Sequence, residues 1–254
     1  MSDNDSAERV TVDHTGWRST LAVMFIAQFL AGVGFSFVLP FFPFFFRSLG
    51  VETQEDILRW NGLASLVFGI TMTVSAPLWG MIADRYGRKL MVIRSMFAGS
   101  IILGLMGFAT APWHLVALRM MQGATTGTVS ASITLISSIS PQSSRGFSLG
   151  ILQTAMLLGA ATGPILGGLL TEQYGFTASC LFASAMLITG LVLVIFGATE
   201  RFNPSSVHRP GFGRMLGIMS TRGFKTLMLI YFLLYVLSFM IVPILPLYIE
   251  AISG

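Results

Sequence analysis

The 254-residue chain is short of charge, cysteine and histidine, and each shortage closes off a class of function. Only 10% of its residues are charged, against about 25% in ordinary soluble domains. A water-exposed globular surface cannot be built from so little charge. The single cysteine, Cys180, rules out an intrachain disulfide and any paired-thiolate metal site. Its place inside an apolar run marks it as a small buried hydrophobe. The three histidines, His14, His114 and His208, are too scattered to form a metal cluster or to serve a nucleophile. Gly146-Phe-Ser148-Leu-Gly150 does spell Gly-x-Ser-x-Gly, but a hydrolase elbow needs a preceding strand and a histidine within reach. Here an apolar helix precedes it. There is no phosphate-binding loop either, and nothing in the sequence reads as an enzyme or calls for a cofactor.

What the chain has in quantity is apolar length. Apolar residues make up 54% of it, the mean hydropathy is +0.77, and about 20 apolar residues cross a bilayer. Seven segments qualify: 19–46, 60–83, 90–109, 112–139, 147–170, 174–197 and 225–249. The fold class is therefore an all-α integral membrane protein. A polar tail, 1–18, precedes a six-span block, 19–199. A linker rich in Pro, Gly, Ser and basic residues, 200–224, leads to the last span, 225–254. Within that linker, residues 212–219 mix apolar and basic side chains in a way that suits a membrane surface.

Lysine and arginine set the orientation. Twelve of the fifteen basic residues fall on one side of this threading, Arg47 and Arg59 on the other, and Arg119 inside a span. The positive-inside rule then puts the N-terminus in the cytoplasm and the end of the chain outside. That topology excludes rhodopsin-like receptors. With a pI near 9.6, nucleic acid is an obvious thought, but the basic residues flank apolar segments. They point to the lipid bilayer as the partner, and no nucleic acid is expected.

Three motifs carry the functional reading. Gly80-Met-Ile-Ala-Asp84-Arg85-Tyr-Gly87-Arg88-Lys89 packs four charges into six residues between two long spans. A cluster so costly to bury must be a hairpin at the membrane surface, in which Asp84 can pair with Arg85, Arg88 or a neighbouring helix terminus. Arg119, with Gln122-Gly123 behind it, lies about 10 Å below the outer membrane edge at 1.5 Å per residue; an intramembrane charge is a functional site by default. The fifth span reads Gly150, Gly159, Gly163-Pro164, Gly167-Gly168. Glycines 159, 163 and 167 share one helix face, which lets another helix approach closely, and Pro164 bends the span. Finally, Pro40–Pro43 near the end of the first span recurs as Pro243–Pro246 in the seventh, 203 residues on, a sign of parallel repeats.

These residues resemble the major facilitator superfamily. The 80–89 run is similar to its signature loop between the second and third helices, 115–123 to its fourth-helix motif, and 150–168 to the fifth-helix motif of its drug–proton antiporter branch. In the fourth-helix motif, Thr125, Thr126 and Gly127 depart from the usual small-residue order. The resemblance implies the facilitator fold, seen here as an N-terminal six-helix bundle plus the first helix of a second half, as if truncated. It implies a monomer when complete, proton-coupled export of hydrophobic or amphipathic drugs by alternating access, and residence in the bacterial inner membrane. By the same resemblance the 80–89 loop braces one transport state, Arg119 couples protons, and Gln28, Ser36, Thr126 and Gln153 line the substrate cavity with Arg119 and Gln122. The energy source is a proton gradient. The alternatives are proton-linked uptake of a sugar or metabolite, or a fragment that transports nothing by itself. No carboxylate stands in the middle of any span, so the sequence leaves the proton carrier open.

Overall fold

In the computed structural model the described residues are 16–37, 39–200, 217, 220–230 and 233. The 1–15 tail, most of the linker with its 212–219 segment, and Pro243–Pro246 lie outside them. The chain divides into two units, Met1–Pro204 and Ser205–Gly254. In the second, residues 222–230 are helical.

The described residues of the first unit form seven α-helices: α1 Trp17–Phe37, α2 Phe42–Ser48, α3 Gln54–Tyr86, α4 Arg88–Met106, α5 Pro112–Thr125, α6 Thr128–Ile139 and α7 Arg145–Gly197. Their lengths match spans to helices. The α7 run of 53 residues would extend about 80 Å as one rod, more than twice the hydrocarbon thickness. It is not one rod. Gly175 has φ 79° and ψ 176°, a conformation essentially reserved for glycine, and turns the chain into a second leg. Thr171 and Ser179 hydrogen bond across that turn at 2.8 Å. Conversely α5 and α6, at 14 and 12 residues, are each too short to cross. Joined at Thr126–Gly127 they make one broken span. The predicted first span, 19–46, likewise divides at a 3₁₀ turn, Leu39–Phe41, into α1 and the short α2. Six crossings therefore lie between Trp17 and Gly197, where the hydrophobicity pattern places them.

Hydrophobic burial cannot drive helices together within lipid, which is as apolar as leucine; close packing and polar bridges must do so. Both are present. On α7, Gly159, Gly163 and Gly167 bring the helix against α1 so tightly that a methyl group on any of them would overlap the α1 backbone. Ser36 of α1 donates to the carbonyls of Gly32, at 2.6 Å, and Gly159, at 3.2 Å. Ser95 of α4 meets Thr128 of α6 at 2.6 Å, and Ser184 on the second leg of α7 donates to the Ser100 carbonyl of α4 at 2.7 Å. Among the described residues the core runs from Met24 and Phe37 through Met96 and Leu103 to Leu135, Leu152 and Leu187, all but inaccessible to solvent. By contrast α3 keeps Leu66, Ile70, Val74 and Leu78 exposed and, of its 33 residues, buries just Ile57, Ala64 and Ser75.

Candidate functional site

Three candidate sites emerge, each held by a different local device. The first is the α3–α4 hairpin. It turns on one residue: Gly87 ends α3, its amide donating to the Ala83 carbonyl at 3.0 Å, and starts α4. Its φ of 96° and ψ of 159° are a conformation that residues with a side chain rarely adopt, and the two spans are joined with almost no loop. Gly80 faces open space: a methyl group placed on it would have no neighbour within 4 Å. The pairing open to Asp84 is not made: Asp84 is exposed, and the described residues form no ion pair with it. Arg85 instead lies over the Tyr86 ring, 5.3 Å from its centre.

A residue absent from the motif takes the helix terminus. Glu200, just past α7, accepts from the amides of Arg88 at 3.0 Å and Lys89 at 2.7 Å, while Lys89 Nζ returns to the Ile195 carbonyl at 2.8 Å. A carboxylate on the unpaired amides at the positive end of α4 satisfies both hydrogen bonding and the helix dipole. Nothing in the local sequence around Glu200 announces this, because its partners are 111 and 112 positions away.

The second site surrounds Arg119, on the buried face of α5. Its side chain retains only 8% of its exposure. The guanidinium sits between two rings, 4.4 Å from the centre of Phe42 and 5.2 Å from that of Phe68, and Nη1 donates to Gln122 Oε1 at 2.9 Å. Nε has no partner, and no described carboxylate pairs with the charge. Gly123 lets this part of α5 press on α3, where a methyl group would collide with the Phe68 carbonyl. Of the cavity candidates, Gln28 is buried with its Nε2 unpartnered, Ser36 is spent on the α1–α7 crossing, Thr126 lies at the break in the fourth span, and Gln153 is exposed. No hydrogen bond among the described residues ties these four to Arg119.

The third site was not legible as one. Arg94 counts among the basic residues of the cytoplasmic side when orientation is read from the sequence, which leaves Arg119 as the lone charge in a span. Yet the predicted third span, 90–109, contains Arg94, and the structure places it within α4, its guanidinium 3.3 Å from the centre of the Trp79 ring, with Nη2 donating to the Thr126 carbonyl at 3.3 Å. The apolar run Met91-Val-Ile-Arg94-Ser-Met-Phe97 was the signal to read. Its nearness to the basic loop hid it. Beside it opens a cleft of about 330 Å³ between α3, α4 and α6, lined among others by Trp79, Asp84, Arg88, Arg94, Thr126 and Ser130.

The glycines of the fifth-span motif divide in two. Gly159, Gly163 and Gly167 are buried at the α1 crossing, Gly168 approaches the Phe41 ring, and Gly150 has open space around it. Pro164 lies within the first leg of α7. Ser148, the serine of the hydrolase-like string, is buried and donates to the Ser144 carbonyl of its own helix at 3.0 Å.

Comparison with known proteins decides the family. The sequence profile of the Major Facilitator Superfamily matches residues 24–254. The chain belongs to that superfamily. It is 31% identical over 244 residues to the multidrug resistance protein MdtG of Proteus mirabilis, covering 95% of this chain and 60% of the relative. It is 32% identical over 241 residues to MdtG of Escherichia coli, covering 94% and 59%. The chain thus spans about three-fifths of the length of these relatives. The human organic anion transporter MFSD10 (TETRAN) shares the fold, with a TM-score of 0.64 at 18% identity, over 78% of this chain and 52% of that one. The Glu200 clasp makes a stability prediction of its own. Glu200→Gln weakens the two contacts by removing the charge, costing about 1 kcal/mol as a lost helix cap does and lowering the melting temperature by about 2–4 °C. A thermal scan of the detergent-solubilised protein reads this, and an unchanged midpoint would show that the clasp contributes nothing.

Proposed function

We propose that the complete protein is a proton-coupled exporter of hydrophobic or amphipathic drugs, in which this six-span unit forms one of two halves that alternate access to a central site. The observation that carries the reading is the buried cation of Arg119. A charge that among the described residues is held only by an amide and two aromatic faces, inside a membrane bundle, is retained at a cost that packing does not explain. Similarity to proteins named for multidrug resistance supports export, as does the glycine face of α7 that matches the antiporter-branch pattern. The exposed apolar face of α3 suits packing against a second half. Positive residues clustered at the α3–α4 hairpin favour an N-terminus in the cytoplasm of an inner-membrane protein. In this reading the exposed Asp84 meets its partner in that second half, bracing one transport state.

The test uses everted membrane vesicles holding the full-length protein. Energising them should drive accumulation of ethidium, and collapsing the proton gradient should release it. Asp84→Asn should reduce the accumulation rate about 10-fold with expression unchanged. Failure to accumulate any of a broad panel of cationic and neutral dyes would reject export. Unaltered transport by Asp84→Asn would reject the brace.

A further inference from the structure

The fourth span is broken where a continuous helix would be expected, and the break is closed by side chains of its neighbours. Thr126 has ψ 165° and Gly127 φ 142°, so the helical ladder stops at the end of α5 and restarts in α6. Backbone carbonyls left without helical partners inside a membrane must find others. Two do: the carbonyl of Ala124 accepts from Trp79 Nε1 at 2.6 Å, and that of Thr126 from Arg94 Nη2 at 3.3 Å. The Gly123 carbonyl, which still accepts the Thr126 amide at 3.4 Å, also accepts from Ser75 Oγ at 3.3 Å. The donors to Ala124 and Thr126 themselves touch, the Arg94 guanidinium lying over the Trp79 ring 3.3 Å from its centre.

Arg94 is held lightly for a charge in this position. Its Nε and Nη1 are shielded and unpartnered, and no described carboxylate pairs with it, although Asp84 lines the same cleft. One carbonyl and one ring hold it. On the other side of the break, α5 carries Arg119 and Gln122 within two turns of Thr126, and the α3 surface that clamps α5 at Gly123 includes Phe68, one of the two rings around Arg119. The angle of α5 against α3 therefore fixes both the Arg119 guanidinium and the aromatic wall it rests on.

We propose that Arg94, with Trp79, is a positioning residue for Arg119: it supplies the hydrogen bond that the broken fourth span lacks and so sets the angle at which α5 presents Arg119. The proposal rests on the reading of Arg119 as the residue through which transport is coupled. Arg94 itself touches no substrate. Its guanidinium acts on the helix that carries the working charge, and the adjoining cleft leaves room for the break to open when the latch lets go.

The test is a double-mutant cycle on full-length protein in proteoliposomes, reading ethidium transport under an imposed proton gradient. Arg94→Gln is expected to lower the rate about 10-fold, and Arg94→Lys, which keeps a donor for Thr126, to recover about a third of it. In an Arg119→Lys background, which keeps about a tenth of the activity and so stays measurable, Arg94→Gln should cost less than 2-fold more, because there is no guanidinium left to position. Losses that multiply in the double variant would overturn the proposal. Hydrogen exchange on the same proteins in nanodiscs gives a readout independent of transport. Peptides covering 120–131 should exchange about 10-fold faster in Arg94→Gln than in the wild type, with the rest of the bundle unchanged. If the wild type transports nothing while that local acceleration is seen, the transport reading fails and the latch stands. Unchanged exchange at 120–131 overturns the latch whatever the transport result.

Discussion

Gly163→Val separates α1 from α7 and lowers the melting temperature of the solubilised protein by about 10 °C, whereas Gly150→Ala leaves it within about 2 °C. The two glycines belong to the same sequence pattern, and the difference lies in what surrounds them. A β-carbon on Gly163 would overlap Ser36 Oγ and stand 2.8 Å from the Val33 carbonyl. Ser36 could rotate away, though it would lose its bond to the Gly159 carbonyl. The Val33 carbonyl is part of the α1 backbone and cannot move alone, so the helices must part. Gly159 and Gly167 face the same limit, against the Phe29 and Phe37 carbonyls. Overpacking costs about 1–3 kcal/mol even where side chains can yield, and about 3 kcal/mol corresponds to about 6–12 °C in a domain of this size. Around Gly150 a methyl group meets nothing within 4 Å, and alanine is the better helix former. A differential scan of the two variants measures this directly. Equal midpoints would mean that the α1–α7 crossing is not the close contact described.

The fold was legible to the extent that one physical rule dictated it. Each hydrophobic stretch long enough to cross had to cross, and each cluster of charge had to stay at a surface, which placed all six crossings of the first unit. The interruptions were harder to see. Gly175 reverses the chain just inside the predicted sixth span, 174–197, close to its boundary with the fifth, but Thr126–Gly127 breaks a single span, and no rule of spacing distinguishes the two glycines. The local order that departs from the fourth-helix pattern, Thr125-Thr126-Gly127, was the trace of that break. Arg119, Gly123 and the Gly159–Gly167 face could be read because their chemistry is local: a charge in a span, small residues on one helix face. Glu200, Trp79 and Arg94 could not, since each acts on a backbone group more than thirty residues away. Such pairings are set by how helices pack, and helix packing in lipid leaves little mark on the hydrophobicity pattern.

Arg119→Met should abolish gradient-driven drug export by the full-length protein, a fall of at least 100-fold, while leaving the melting temperature unchanged or raised. The two halves of that expectation come from the same geometry. A buried charge with a buried counter-charge is destabilising to break, because the survivor is left unpaired; replacing a buried charge by an apolar group of similar volume is often neutral or stabilising. Arg119 has no carboxylate partner among the described residues, so methionine strands no ion. It leaves only the Gln122 Oε1 atom without its donor at 2.9 Å, and its flexible chain fills the slot between Phe42 and Phe68. The protein is then relieved of an unpaired charge and deprived of its function. Arg119→Lys should keep about a tenth of the activity: it retains the charge, but a compact ammonium cannot lie flat against two rings and reach Gln122 together. Paired transport and thermal-shift measurements on the same preparations separate the possible roles. If Arg119→Met exports at the wild-type rate, the charge does no work in transport. If stability and transport fall together, Arg119 is a packing residue and the case for a coupling centre in this half is lost. A working charge is the one whose removal costs activity and spares the fold.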